Sequence, residues 1–251
     1  MLSVVVITYN ESKNIKRCLD SVKGIADEII VVDSGSTDNT VAIAKSCGAK
    51  VIHQEWLGFG EQKNFANSLV QNSWILSLDA DEALSSELKE EITLVLKNPY
   101  YKVYKINRRN RYCEKWLRYG SWYPDTKLRL FNKNIAQWNT NRVHEILMVD
   151  KNISIGKLKS DMLHYPFNSI QEHKKRADKY ALLGAEQIFF SGKKPNIIKL
   201  LFSGSFRFFR DYFLKLGFLD GYFGFWACRI TAQSVSKKYN ESMRLFKNKK
   251  K

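Results

Sequence analysis

Trp74-Ile75-Leu76-Ser77-Leu78-Asp79-Ala80-Asp81 decides how this chain is read: an apolar run of strand length ends in two carboxylates. A run without apolar/polar alternation is the pattern of a strand buried on both faces. Burying an unpaired charge is expensive, so carboxylates at the end of such a strand call for a partner, and a divalent cation such as Mg²⁺ or Mn²⁺ suits oxygen ligands of this kind. An Asp-x-Asp pair also serves to cap a following helix. The motif therefore takes its meaning from the segments around it.

Upstream, strand and helix patterns alternate. Leu2–Thr8 is a β-branched run, and Ser12–Val22 carries helical spacing through Ile15, Leu19 and Val22, with Ser12 as its cap. Glu28–Val32 reads as a second strand, Asp38–Cys47 as a helix, Lys50–His53 as a third strand and Gly60–Val70 as another helix. After Trp74–Leu78, Ser85 opens a helix over Ser86–Leu96 with Glu87 in its first turn. Repeats of this length predict an α/β fold, a mainly parallel sheet flanked by helices, with strand order 3-2-1-4. Ligands of such sheets bind beyond the carboxyl ends of the strands. Three acidic loops meet there: Thr8-Tyr9-Asn10-Glu11, Asp33-Ser34-Gly35-Ser36-Thr37-Asp38 and Asp79-Ala80-Asp81-Glu82. Asp33 follows buried residues and reads as the ligand, Asp38 as a helix cap. Neither G-x-G-x-x-G nor G-x-x-x-x-G-K-[ST] occurs in these turns, so a metal is left to hold any diphosphate.

Composition bounds the partners. The 251 residues carry 41 Lys and Arg against 25 Asp and Glu, a formal charge of +16 that implies an anionic partner. Cys18, Cys47, Cys113 and Cys228 lie far apart, which disfavours a zinc knuckle or a disulfide framework and fits a reducing cytosol. Met1 runs straight into the first strand without a secretory leader, and Ile197 to Cys228 is interrupted by Lys199, Arg207, Arg210, Asp211, Lys215 and Asp220, against a membrane-spanning helix.

The blocks Val4–Glu11, Ile30–Asp38 and Leu78–Asp81, taken in order, resemble family 2 glycosyltransferases of the GT-A fold. Tyr123-Pro124-Asp125, Arg129-Leu130-Phe131 and Val143-His144-Glu145 extend the resemblance to the subgroup of bacterial lipopolysaccharide-core β-1,4-glucosyltransferases. The resemblance implies that Thr8, Tyr9, Glu11 and Asp33 hold the nucleotide, that Asp79 faces the ribose or donor sugar, and that Asp81 binds the metal. It implies Glu145 as the catalytic base, with Asp125 as runner-up, and His164 as a further metal ligand. Arg129, and after it Arg142, would neutralise the diphosphate. On this reading residues 1–166 form the GT-A catalytic domain, about 1–100 for the nucleotide sugar and about 101–166 for the acceptor. The Arg-, Tyr- and Trp-rich stretch from Lys102 to Tyr123 would grip a phosphorylated glycan.

Residues 167–251 read as a helical, basic extension. Ser169–Phe190 is one helix and Gly192-Lys193-Lys194-Pro195 a break. Over Ile197–Phe213, Ile198, Leu201, Phe202, Phe206, Phe209 and Phe213 fall among Lys199, Arg207 and Arg210, the pattern either of a helix in a bilayer interface or of one capping its own core. Lys247, Lys249, Lys250 and Lys251 add attraction for anionic lipid. The expectation is an inverting hexosyltransferase, peripheral on the inner face of the bacterial cytoplasmic membrane. It would move glucose from UDP-glucose to a lipid-linked phosphorylated glycan, the lipopolysaccharide inner-core heptose, and no nucleic-acid partner is expected. The alternatives are a nucleotidyltransferase and a non-catalytic basic protein that binds RNA or membrane.

Overall fold

The structure is a computed structural model that describes residues 1–139, 145–192 and 194–248. In chain order its elements are β1 (Leu2–Thr8), α1 (Ile15–Val22), β2 (Glu28–Asp33), α2 (Thr40–Ser46), β3 (Lys50–His53), α3 (Phe59–Ser68), β4 (Trp74–Asp79), β5 (Glu82–Leu84) and α4 (Ser86–Lys97). There follow β6 (Val103–Tyr112), β7 (Lys115–Trp116), β8 (Asp125–Asn132), β9 (Ala136–Trp138), β10 (Leu147–Val149), β11 (Ile155–Phe167), α5 (Ile170–Phe190), α6 (Ile197–Phe209) and α7 (Gly221–Asn248). The chain forms two compact units, one from Met1–Arg108 with Asp125–Tyr165, the other from Arg109–Pro124 with the residues from Pro166 onward.

In the first unit the sheet runs β3-β2-β1-β4 in parallel, the order expected from the repeats, and continues through β8 and β6 with antiparallel pairing. β11 and β5 complete the order, and they pair antiparallel. The unbroken apolar run of β1 has a structural reason: Val4 and Val6 pack into the core with α1 and α4, while Val5 and Ile7 pack into a second core with Ala66 of α3 and Phe131. Both faces are covered, so alternation would bury polar side chains.

The second unit is held by polar anchors as well as apolar packing. Asp220 Oδ2 accepts from the backbone N–H groups of Arg118 and Tyr119 at 3.0 and 2.9 Å. Asp211 accepts from Ser121 Oγ and from the guanidinium groups of Arg207 and Arg210. Tyr112 is fully buried against Trp122, Phe167 and Phe223, and its hydroxyl lies 2.9 Å from Nδ1 of His173. This corrects the acceptor-binding expectation for Tyr112, whose ring serves as core, with the half-buried Trp122 packed against it.

Burial pushes the His173 imidazole down to about 4. Its folded pKa lies below the unfolded value of about 6.5, so between these values the unfolded chain binds more protons and stability falls as the pH falls. The expected loss over that window is about 3 kcal/mol. Urea titrations at stepped pH check this, and a His173→Phe variant should lose most of the slope.

Two local readings change. The helix α1 begins at Ile15 with Asn14 in the cap position, because the Glu11 carbonyl takes the N–H groups of Asn14 and Ile15; Ser12 instead donates its N–H to Asp38. The single helix expected over Ile197–Phe213 stops at Phe209 and widens into a π-helical turn, Arg210–Leu214, which carries Asp211 inward to its arginine partners. His164 lies within β11, which begins at Ile155 and runs through Pro166 to Phe167.

Candidate active site

Register alone gathers the first candidates. Thr8 pairs with Asp33 and Ile7 with Asp79, so the carboxyl ends of β2, β1 and β4 lie side by side, with neighbouring strands about 4.8 Å apart. The loops after β1 and β2 are clasped: Asn10 N–H donates to Ser36 Oγ at 2.8 Å, and Thr37 N–H donates to Asn10 Oδ1 at 2.8 Å. Glu11 N–H donates to Thr40 Oγ1, tying the first loop to the start of α2. Glu11 Oε2 accepts from Asn14 Nδ2.

The side chains at these ends differ in environment. Thr8 is 5 % exposed and its buried Oγ1 has no hydrogen-bond partner among the described residues, whereas Tyr9 stands 57 % exposed beside it in sequence. Asp33 is buried and builds its own turn, Oδ2 accepting from the N–H groups of Gly35 and Ser36, and Oδ1 from Ser36 Oγ. A carboxylate offers about four lone-pair sites, so this turn does not exhaust Asp33. Asp38, read as a cap, accepts from Thr40 N–H at the start of α2, although Asn39 occupies the cap position. The Thr40 hydroxyl, with Ser12, holds the Asp38 carboxyl down to about 2.

Asp79 is the centre of a charged network. Its Oδ1 lies 2.9 Å from Lys63 Nζ and its Oδ2 lies 2.6 Å from Arg129 Nη2. Arg129 also reaches Glu82 Oε1 at 2.7 Å, Arg108 joins Glu82 to Asp125, and Lys127 lies 3.0 Å from Asp125 Oδ1. Burial opposes ionisation of Asp79, but Arg129, Lys63 and Arg108 outweigh it and hold the carboxyl well below the usual range. Burial likewise opposes ionisation of Asp125, which Arg108 and Lys127 keep low. Arg129, expected at a diphosphate, is 3 % exposed and donates to Asp79 and Glu82.

Lys63 joins this network to the proposed base. Its Nζ is 2.9 Å from Glu145 Oε1 and 4.6 Å from the ring centroid of Trp138. Lys63 and Gln62 carry no role in the sequence motifs, and Glu82 enters there only as the last residue of the third acidic loop. A signal existed: on α3, Gln62 and Lys63 sit four and three positions before the buried Ala66, where helical spacing asks for apolar side chains. Both are buried, and Gln62 ties Ser34 Oγ and the Gln54 carbonyl together. Arg142, Val143 and His144 of the extended motif lie outside the described residues.

Asp81 and His164 are brought together by the pairing of β5 with β11. His164 stands opposite Glu82, Tyr165 N–H donates to the Asp81 carbonyl, and His164 Nε2 lies 3.3 Å from Asp81 Oδ2. Among the described residues no group of three or more His, Cys, Asp or Glu side chains clusters as a metal site. The Asp81 carboxylate nevertheless fits Mg²⁺ or Mn²⁺, whose sites use one or two carboxylates while phosphate oxygens and water complete the shell, and the His164 imidazole can join it around Mn²⁺.

The parallel half of the sheet collects these polar residues beyond its strand ends, where ligands of open α/β sheets bind. The sequence model described as Glycosyl transferase family 2 matches residues 3–153. An uncharacterized glycosyltransferase of Rickettsia bellii is 37 % identical over 239 residues, covering 89 % of this chain and 80 % of that protein. The lipopolysaccharide core biosynthesis glycosyltransferase LpsC of Rhizobium meliloti is 29 % identical over 242 residues, covering 92 % and 84 %. The crystal structure of S. aureus TarS 1-349 in complex with UDP-GlcNAc shares the fold with a TM-score of 0.50 at 16 % identity, covering 95 % of this chain and 91 % of that one. The chain belongs to glycosyltransferase family 2, and it has the GT-A fold.

Proposed function

We propose that this glycosyltransferase is a metal-dependent, inverting hexosyltransferase that moves glucose from UDP-glucose to a lipid-linked phosphorylated glycan, the inner-core heptose of lipopolysaccharide. The observation that carries the reading is the convergence of Thr8, Asp33 and Asp79 at adjacent strand ends, with Lys63 linking Asp79 to Glu145. Similarity to a lipopolysaccharide core glycosyltransferase supports the acceptor class. Family membership takes the place of the nucleotidyltransferase and non-catalytic readings.

Thr8, Tyr9, Glu11 and Asp33 receive the nucleotide, Thr8 through its buried hydroxyl and Tyr9 through an exposed ring. Asp79 faces the ribose or donor sugar, and Arg129 acts by fixing its carboxylate. Asp81 and His164 hold the divalent ion, which when bound supplies charge neutralisation for the departing diphosphate. Glu145 takes the proton of the acceptor hydroxyl as that oxygen bonds to the anomeric carbon and the sugar–phosphate bond breaks. Arg108 and Lys127 engage both oxygens of Asp125, which favours Glu145 as the base. A lipid-borne acceptor places the enzyme at the inner face of the cytoplasmic membrane.

The test is a mass-spectrometric screen of nucleotide sugars against extracted lipopolysaccharide core, with and without chelator. A single added hexose from UDP-glucose, lost on chelation, is the expected result. Transfer undiminished by chelator would remove the metal from the mechanism, and no product from any nucleotide sugar would reject the acceptor.

A further inference from the structure

The second unit carries an apolar surface that remains exposed among the described residues. On α6, Ile198, Leu201, Phe202 and Phe206 are each 60 % or more exposed. Their spacing places them on one side of a helix about 20 Å long. The other side is committed to α7, where a Cβ at Gly204 would collide with Ser236. The apolar surface continues past the helix through Phe213 and Leu214, 49 % and 64 % exposed. Scattered exposed apolar side chains are ordinary, but a continuous row of aromatic and branched side chains marks an interaction surface. The capping alternative, in which these side chains close the unit's own core, does not describe them.

Charge decides what the surface meets. From residue 187 to 240 the acidic residues are Asp211 and Asp220. Both are buried and bonded, Asp211 to Ser121, Arg207 and Arg210, and Asp220 to backbone N–H groups. Lys194, Lys199 and Lys215 are exposed within or beside the apolar row. Among the described residues of this stretch, every exposed charge is therefore positive. A second copy of the chain seated on the same surface would set like charges against each other. An anionic bilayer complements both features, apolar side chains entering the acyl boundary and lysines meeting headgroup phosphates. None of the described helices is long and apolar enough to cross a membrane.

We propose that α6 and the turn after it lie in the interface of an anionic lipid bilayer, with Phe202 and Phe206 inserted and Lys194 and Lys199 at headgroup level. This gives the membrane placement suggested by the acceptor a specific surface, but it holds whatever sugar is transferred.

Sedimentation of the full chain with vesicles tests it without donor or acceptor, so its failure and failure of the transfer reading are separate outcomes. The chain should co-sediment with vesicles of equimolar phosphatidylglycerol and phosphatidylcholine, and weakly with phosphatidylcholine alone. Phe202→Glu with Phe206→Glu should weaken binding by roughly tenfold or more. Lys194→Gln with Lys199→Gln, which leaves every apolar contact in place, should weaken it about fivefold per lysine. Circular dichroism reports whether each variant is folded, and the lysine pair carries the test if the Phe pair is not. Binding to both vesicle types alike, no binding to either, or folded Phe and Lys variants that bind like the native chain would overturn the proposal. So would a concentration-dependent dimer that the Phe substitutions abolish, because the surface would then serve a second copy.

Discussion

Replacing Glu145 with Gln lowers kcat for sugar transfer by roughly 10²–10⁴-fold and leaves donor binding unchanged, the range expected for loss of a general base. The substitution keeps the shape of the side chain and an oxygen that can accept from Lys63 Nζ, 2.9 Å away in the native chain. It removes the capacity to take a proton together with the negative charge facing Lys63, which keeps Asp79 as its counter-ion. The loss should fall on kcat with little change in KM for either substrate, since the missing interaction belongs to the transition state. Initial rates measured alongside calorimetric titration with UDP-sugar separate the two quantities. A kcat within a few-fold of the native value would move the base elsewhere, and Asp125→Asn would be the next variant to measure.

Arg129→Met should be the most damaging single change to stability, about 3–5 kcal/mol, because it breaks a buried ion pair from one side. The guanidinium is 3 % exposed and serves two carboxylates at once, Asp79 Oδ2 at 2.6 Å and Glu82 Oε1 at 2.7 Å. Without it, Glu82 keeps Arg108 and Asp79 keeps Lys63, each with one buried cation fewer. Arg129→Lys should recover part of the loss, since one ammonium cannot reproduce the planar fork. The deficit should also depend on pH. The folded pKa of Asp79 lies below its unfolded value, so its contribution is present above about pH 4 and lost as the pH falls through the folded pKa. The gap between native and variant midpoints in urea should therefore narrow on acidification. A gap below about 1 kcal/mol at neutral pH would show that the network reorganises around the loss.

The parallel core of the first unit was legible because its signals are local. Continuous β-branched runs, turn residues and helical spacing give β1 to β4 in their observed order. The charged network was harder to read, since Lys63, Glu82, Arg108 and Arg129 come from four separate elements and nothing in a linear chain shows that they meet. Only the placement of Lys63 on an otherwise buried helix face betrayed it. Asp33 shows the converse difficulty. Asp-Ser-Gly-Ser encodes both a turn and a ligand, and the structure displays the turn in full. In the second unit, aromatic richness from Tyr112 to Trp122 reads as a glycan surface in the linear chain, but long-range packing makes Tyr112 core, while Tyr119 stays exposed. The apolar face of α6 was visible from spacing, while its exposure could be decided only by seeing that α7 takes the opposite face.

Thermal unfolding in the presence of UDP-sugar and Mn²⁺, measured for the native chain and for Asp81→Asn, tests most directly the claim that the strand ends form one metal-dependent nucleotide site. Saturation at a hundredfold the dissociation constant should stabilise the native chain by about 2.7 kcal/mol. Chelator should remove that gain, and Asp81→Asn should show little of it while unfolding at its usual temperature without ligand. A native chain unmoved by donor and metal, or a variant stabilised as much as the native chain, would contradict the account.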